Sequence, residues 1–293
     1  MLDNKTLERS KRAIRQAYWA SKGMALPDNS GGRYINYAES VEANLISGVC
    51  LSEFREDYEL GKGSELTSRK GQPPKMAAMF SSSAMVVNTF GPWRTDPSTL
   101  ILKSYPVFQS LRFEAACPNG LKQYSPRATD PHLDLLLKSP DVVLGIESKC
   151  LEYLLPKKAV FSKTYDKISK ERKCSLWFKY VEVLRANSHQ YQYLDAAQLI
   201  KHALGLSYTF AGKQHGSPAL LYLFWEPTNW NNFDEFKRHH DEIERFSRAV
   251  SGDALGFEAL SYLEMWANWQ QTSSPDWLSR HVKNLLARYA VEI

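Results

Sequence analysis

The sequence predicts a mixed α/β fold in the order helix, three strands, helix, strand, with further helices before and after. Three observations carry this. Residues 107–149 hold three apolar runs of strand length, "VFQSLRFEAAC", "HLDLLLK" and "DVVLGIESK", parted by turn residues. "QYQYLDAAQLIKHALG" then reads at helical period, and "ALLYLFW" follows as a fourth strand. Strands adjacent in sequence pair most readily with one another.

The elements follow in order. Residues 5–20 form a charged amphipathic helix, and "DNSGG" (28–32) breaks the chain. "YAESVEANLISG" (37–48) is expected to be a helix ending at Gly48. The Gly- and Pro-punctuated stretch 59–75 is a loop. Its "GKGS" lacks the GxxxxGK spacing that cradles phosphates, so a P-loop is excluded. "KMAAMFSSSAMVVNTFG" (75–91) is a helix of small residues. The helix after the third strand is expected to begin near Asn187 and to close at Gly205. From Phe233 onward the chain reads as helical, "FEALSYLEMWANW" included. The chain is read as one domain: an N-terminal helical extension (1–74), a core (75–226) and a C-terminal helical part (227–293).

Composition bounds the function. Of 293 residues, 43% are hydrophobic, enough for a large core. The net charge of +5 permits a polyanionic partner without demanding one. Cys50, Cys117, Cys150 and Cys174 form no CxxC pair and read as reduced intracellular thiols. No apolar run reaches bilayer length, so a soluble, cytoplasmic protein is expected.

The chemistry-bearing stretch is "GIESKC" (145–150), an acid and a base closing an apolar run. Ser139-Pro140-Asp141 is a turn signal. A turn at Ser139–Val142 makes paired positions sum to 281 and sets Asp134 opposite Glu147. Directly opposed residues of an antiparallel pair share a face, about 5 Å apart at Cβ. Lys149 lies on the Glu147 face by alternation. Two facing carboxylates repel unless a proton or a cation stands between them. Hard divalent ions take such oxygens, and the Ser148 carbonyl is a further donor. Such an ion lowers the pKa of water and polarises a phosphoryl oxygen, and Lys149 would serve the water or the transition state. The chemistry indicated is metal-assisted phosphodiester hydrolysis.

"PHLD" followed by "GIESK" resembles the PD-(D/E)XK nuclease superfamily, the restriction-endonuclease-like fold, over roughly residues 75–226. The resemblance implies a Mg²⁺-dependent deoxyribonuclease, with Mn²⁺ as a substitute ion and a restriction or defence role; repair or mobile-element processing fits as well. It sets Asp134 as the second acid and Glu147-Ser148-Lys149 as the (D/E)-x-K. Gln198 matches the glutamine that many members carry on the next helix. One departure stands out: "KMAAMFSSSAMVVNTF" has no acid where many members carry one. Glu114 is the candidate replacement, and Glu65 the runner-up. Glu114 reads equally well as a partner of Arg112, two residues away.

The expected substrate is DNA, with RNA as the other possibility. Residues 157–179 carry eight basic side chains against Asp166 and Glu171, a local +6 beside the site and suited to phosphate contact. The terminal helices either cover the core or form a homodimer interface. The rival reading is an inactive nucleic-acid-binding or assembly module on the same fold. A glycosidase using paired carboxylates leaves the lysine and the basic segment unexplained. Glu152 reads as structural, Gln198 and His202 lie off the apolar stripe of their helix and face either the site or solvent, and His239-His240 reads as exposed helix. Trp225, Trp230, Trp266, Trp269 and Trp277 read as core.

Overall fold

In the computed structural model, residues 5–25, 35–61, 64–102, 105–168, 175–210, 216–271 and 275–293 are described. A five-stranded sheet runs β1 (Ser110–Ala116), β2 (His132–Lys138), β3 (Val142–Lys149), β4 (Ser217–Phe224), β5 (Gly256–Ser261), in that spatial order. β1, β2 and β3 pair antiparallel, whereas β3, β4 and β5 pair parallel. The Ser139 N–H donates to the Val142 carbonyl (2.8 Å) and closes the β2–β3 turn. The register follows, with Leu137 opposite Leu144 and Leu135 opposite Ile146.

Nine α-helices surround the sheet among the described residues: α1 (Lys5–Ser21), α2 (Val41–Asn44), α3 (Arg55–Leu60), α4 (Ser82–Phe90), α5 (Leu176–Ala186), α6 (Ala196–Phe210), α7 (Asp234–Val250), α8 (Tyr262–Gln271) and α9 (Asp276–Tyr289). α4 begins where the Ser81 hydroxyl caps the Ala84 N–H (3.1 Å), and every residue from Ser83 to Phe90 is buried. A helix buried all round has no face for an unpaired acid, which accounts for the missing carboxylate there. α4 packs on β2 and β3, and α6 packs on β3 and β4.

Several elements differ from the sequence expectation. The helix of 37–48 is a single turn, α2, capped by Ser40. The segment from 75 opens with a 3₁₀ turn, so its helix begins only at Ser82. α5 emerges from the basic segment, its Trp177, Phe178, Val181 and Leu184 forming a buried stripe. α6 starts at Ala196, after Asp195 caps the Gln198 N–H (3.0 Å), and runs through Gly205 to Phe210. Gly205 is a packing glycine: a Cβ there would stand 2.5 Å from the Cys117 carbonyl oxygen.

The C-terminal part is not wholly helical, because "GFEALS" is β5. Its boundary with α8 is a capping box, in which the Ser261 N–H donates to Glu264 (2.9 Å) and the Glu264 N–H to the Ser261 hydroxyl (3.2 Å). Trp225, Trp266 and Trp269 are core, and Trp277 is partly exposed. His239 is fully buried rather than exposed, because it lies on the inner face of α7 against Tyr222 and Tyr153. His240 meets Glu226 at 2.6 Å.

Arg288 of α9 is buried and donates to the carbonyls of Ile14 (3.0 Å) and Met79 (2.7 Å) and to the Asn44 side chain (3.1 Å). It thereby ties α9 to α1 and α2. Cys50, Cys117 and Cys150 are free thiols, and Cys174 lies outside the described residues. No described helix is long and apolar enough to cross a membrane.

Candidate active site

The β2–β3 ladder ends at Leu135–Ile146, one pair short of Asp134 and Glu147. Asp134 takes up the slack: its Oδ2 accepts the Ser148 N–H at 2.7 Å, standing in for a backbone carbonyl. The sequence expected Asp134 and Glu147 to be cross-strand neighbours. The register leads them to that point, but a side chain rather than the ladder joins the strands there.

Glu147 and Lys149 share one face of β3 and are ion-paired through Glu147 Oε1. Glu147 Oε2 lies 2.8 Å from His202 Nε2 of α6. Ser148 points to the opposite face, where its hydroxyl meets the Tyr262 hydroxyl (2.7 Å) and the Ser82 carbonyl at the start of α4 (3.3 Å). Glu152 bridges the Ser82 hydroxyl (2.6 Å) and the Cys150 N–H (2.7 Å), so it fixes the end of β3 against α4.

His202 is the residue that the sequence reading left off the site. It is 2% exposed and directed at Glu147. The available signal was its spacing of four from Gln198, which puts both on one helix face. Gln198 itself is half-buried one turn before His202, in the first turn of α6. The entry to α6 is held by Glu242 of α7, whose carboxylate accepts the N–H groups of Gln192, Tyr193 and Leu194 at 2.7–2.8 Å.

Glu114 sits in the left-handed region at φ 44°, which is strained for a residue with a side chain. Its Oε1 lies 3.5 Å from His132 Nδ1. Arg112 turns instead to Asp57 (3.9 Å), so the Arg112–Glu114 pairing does not occur. Glu65 is paired with Lys75 at 3.0 Å.

The electrostatics separate these acids. Burial opposes ionisation of Glu147, but Lys149 and His202 outweigh it and hold its carboxyl at about 2. Burial, then repulsion from Glu147, drives Asp134 well above the usual carboxylate range. Burial, then Glu65 and Glu147, push Glu114 up to about 7. Burial works against charge on Lys149, yet Glu147 and Asp134 raise its pKa above the ordinary value. The cluster thus keeps Glu147 ionised against Lys149 and disfavours charge on Asp134 and Glu114.

Among the described residues, no three His, Cys, Asp or Glu side chains form a ready metal cage. Mg²⁺ does not require one, since it commonly takes one or two carboxylates and keeps several waters. Asp134, Glu147 and the Ser148 carbonyl are hard oxygen donors of that type, and a divalent cation would replace the proton that repulsion from Glu147 favours on Asp134. The donor set therefore fits such an ion.

The helix, three antiparallel strands, helix, parallel strand order, with Asp134 on β2 and Glu147-Ser148-Lys149 closing β3, defines a restriction-endonuclease-like protein of the PD-(D/E)XK superfamily. The family model described as "Restriction Endonuclease associating with ARP" matches residues 12–290, and the chain belongs to that family. No curated protein and no solved structure matches it.

Proposed function

We propose that this chain is a Mg²⁺-dependent nuclease that hydrolyses phosphodiester bonds in DNA. The observation that carries this reading is the meeting of Asp134, Glu147 and Lys149 where β2 and β3 part. Asp134, Glu147 and the Ser148 carbonyl would hold the ion, which when bound supplies a more acidic water and a polarised phosphoryl oxygen. Lys149 orients or deprotonates the attacking water and offsets charge on the phosphate in the transition state. His202 holds Glu147 from behind. Glu114 adds an acid from β1, and Gln198 supports the site from α6.

The lysine-rich surface beyond β3 supplies phosphate contacts, which position DNA without reading its sequence. Lys157, Lys158, Lys163, Lys167 and Lys179 lie on described residues, whereas Lys170, Arg172 and Lys173 fall outside them. The family description also supports a protein partner, so the chain is proposed to act beside a second protein.

The test is cleavage of linear and supercoiled DNA with Mg²⁺, with EDTA and Lys149→Ala as controls. Metal-dependent cutting that is lost in both controls supports the reading. Salt-sensitive DNA binding without cutting favours an inactive binding or assembly module. That reading draws on the Glu147 carboxylate, both of whose oxygens are already engaged by protein groups.

A further inference from the structure

His240 of α7 is gripped on three sides. Its Nε2 meets Oε2 of Glu226 at 2.6 Å. Its ring stacks on Trp230, in the 3₁₀ turn Trp230–Asn232, with centroids 4.2 Å apart. It meets Phe224 of β4 edge-to-face at 5.4 Å. Glu226 is 3% exposed, and among the described residues His240 is its one hydrogen-bond partner. A carboxylate is costly to bury, so the pair needs a reason to lie there. The His240 side chain stays 30% exposed. Its Nδ1 is neither buried nor bonded among the described residues. One ring nitrogen is thus fixed by a carboxylate, and the other is left open to solvent in a set orientation.

The pair lies beside the proposed site. β3 and β4 run parallel, and Glu147 and Lys149 are the register partners of Tyr222 and Phe224. Neighbouring strands stand about 4.8 Å apart, and register partners share a face. The Trp225 N–H donates to the Lys149 carbonyl at 2.8 Å, so the pairing holds to the end of both strands. Phe224 is therefore next to Lys149, and His240 packs on Phe224. The open imidazole stands one strand spacing and one ring contact beyond the lysine.

We infer that His240, through Nδ1–H of its imidazolium form, donates to a backbone phosphate beside the scissile one, with Glu226 as its positioning residue. The inference rests on the nuclease reading above, because it needs DNA laid across the carboxyl ends of β3 and β4. A phosphate at Nδ1 and the carboxylate at Nε2 both favour the doubly protonated ring, so binding takes up a proton. The other ionisable groups toward the ring are few. His239 is adjacent on α7, with centroids 6.5 Å apart, and burial keeps it neutral. Lys237 and Glu244 lie one turn before and after on α7, and Lys149 lies beyond Phe224. The turn Trp230–Asn232 contributes none. Such a contact positions the duplex and reads no base.

The test is binding of a short labelled DNA duplex across a salt series, with Ca²⁺ in place of Mg²⁺, for wild type, His240→Gln and Glu226→Gln. His240→Gln is expected to bind roughly tenfold more weakly. Its plot of log affinity against log salt should be shallower by about 0.9, the share of one phosphate. Wild-type affinity should rise from about pH 8 to about pH 6, across the ordinary histidine range, by more than that of His240→Gln. Glu226→Gln should shift affinity and pH response the same way, and it carries the test if His240→Gln fails to fold. A wild-type salt slope and affinity in both variants overturn the contact and leave the nuclease reading standing. A lowered melting temperature with an unchanged salt slope also overturns it, because the pair would then be only a clamp between β4 and α7. Wild-type protein that neither cleaves nor binds DNA overturns the nuclease reading itself, and the His240 contact with it.

Discussion

Glu147 and His202 stand 2.8 Å apart, both buried, one closing β3 and the other in the second turn of α6. With Lys149 on the other oxygen, the glutamate is gripped from two sides. Truncating His202 leaves one carboxylate oxygen in an apolar setting. His202→Ala is expected to lower stability by about 1–3 kcal/mol and to slow cleavage at least tenfold. Urea denaturation and single-turnover kinetics on the same variant check both.

Lys149 and Asp134 should respond differently to metal. Asp134→Asn removes a proposed ligand, so it should lose both cleavage and the rise in melting temperature that Mg²⁺ or Ca²⁺ produces. Lys149→Met removes only the ammonium. It should abolish cleavage while keeping the thermal shift, which at a metal concentration 100-fold above the dissociation constant corresponds to about 2.7 kcal/mol. Thermal scans with and without EDTA separate the two. Loss of the shift in Lys149→Met would place the lysine among the binding groups.

The buried His239 sets an acid limit on stability. Burial, then the neighbouring His240, holds its pKa well below the ordinary value. In the unfolded chain it titrates near 6.5. The unfolded state therefore takes up a proton that the folded state refuses, and stability falls as pH drops below about 6.5, by up to about 1.4 kcal/mol per pH unit. His281, also depressed by burial, adds a slope of the same sign. A His239→Phe variant should show a flatter stability curve between pH 7 and 5, whatever its stability at pH 7. Chemical denaturation across that range measures it.

Gly205→Ala tests how closely α6 must approach the sheet. Alanine favours a helix by about 1 kcal/mol over glycine. Here its methyl would stand 2.5 Å from a backbone carbonyl, and relieving such overpacking costs about 1–3 kcal/mol. The clash outweighs the propensity, so the variant is expected to be less stable. Displacing α6 also moves His202 off Glu147, so cleavage should fall with stability. A more stable variant would show that the helix can shift without cost.

The sequence disclosed the β2–β3 hairpin because Ser139-Pro140-Asp141 fixes its turn, and the turn fixes the register. Asp134, Glu147 and Lys149 follow from that register and the alternation of a strand. What lay beyond it depended on tertiary contacts. Phe257-Glu258-Ala259-Leu260 fits a helix as well as a strand, and only pairing with β4 decides it. Its capping box at Ser261-Tyr262-Leu263-Glu264 was a legible sign of where the helix begins. α5 was hidden because its apolar stripe begins inside a lysine-rich stretch. Gly205 read as a stop because its contact, the Cys117 carbonyl, is remote in sequence. His202 lay off the apolar stripe, facing either the site or solvent, because no local pattern could place beside it the carboxylate that it meets.

The bond from the Ser148 amide to Asp134 gives the protein a spectroscopic monitor of its own. Any proton, metal ion or phosphate that draws on the Asp134 carboxylate must weaken or redirect the one hydrogen bond that this amide makes across the parted strands. In an isotope-labelled sample the Ser148 amide resonance would move with each such event, even in a variant unable to turn over. Occupancy of the site could thus be followed separately from the chemistry it performs.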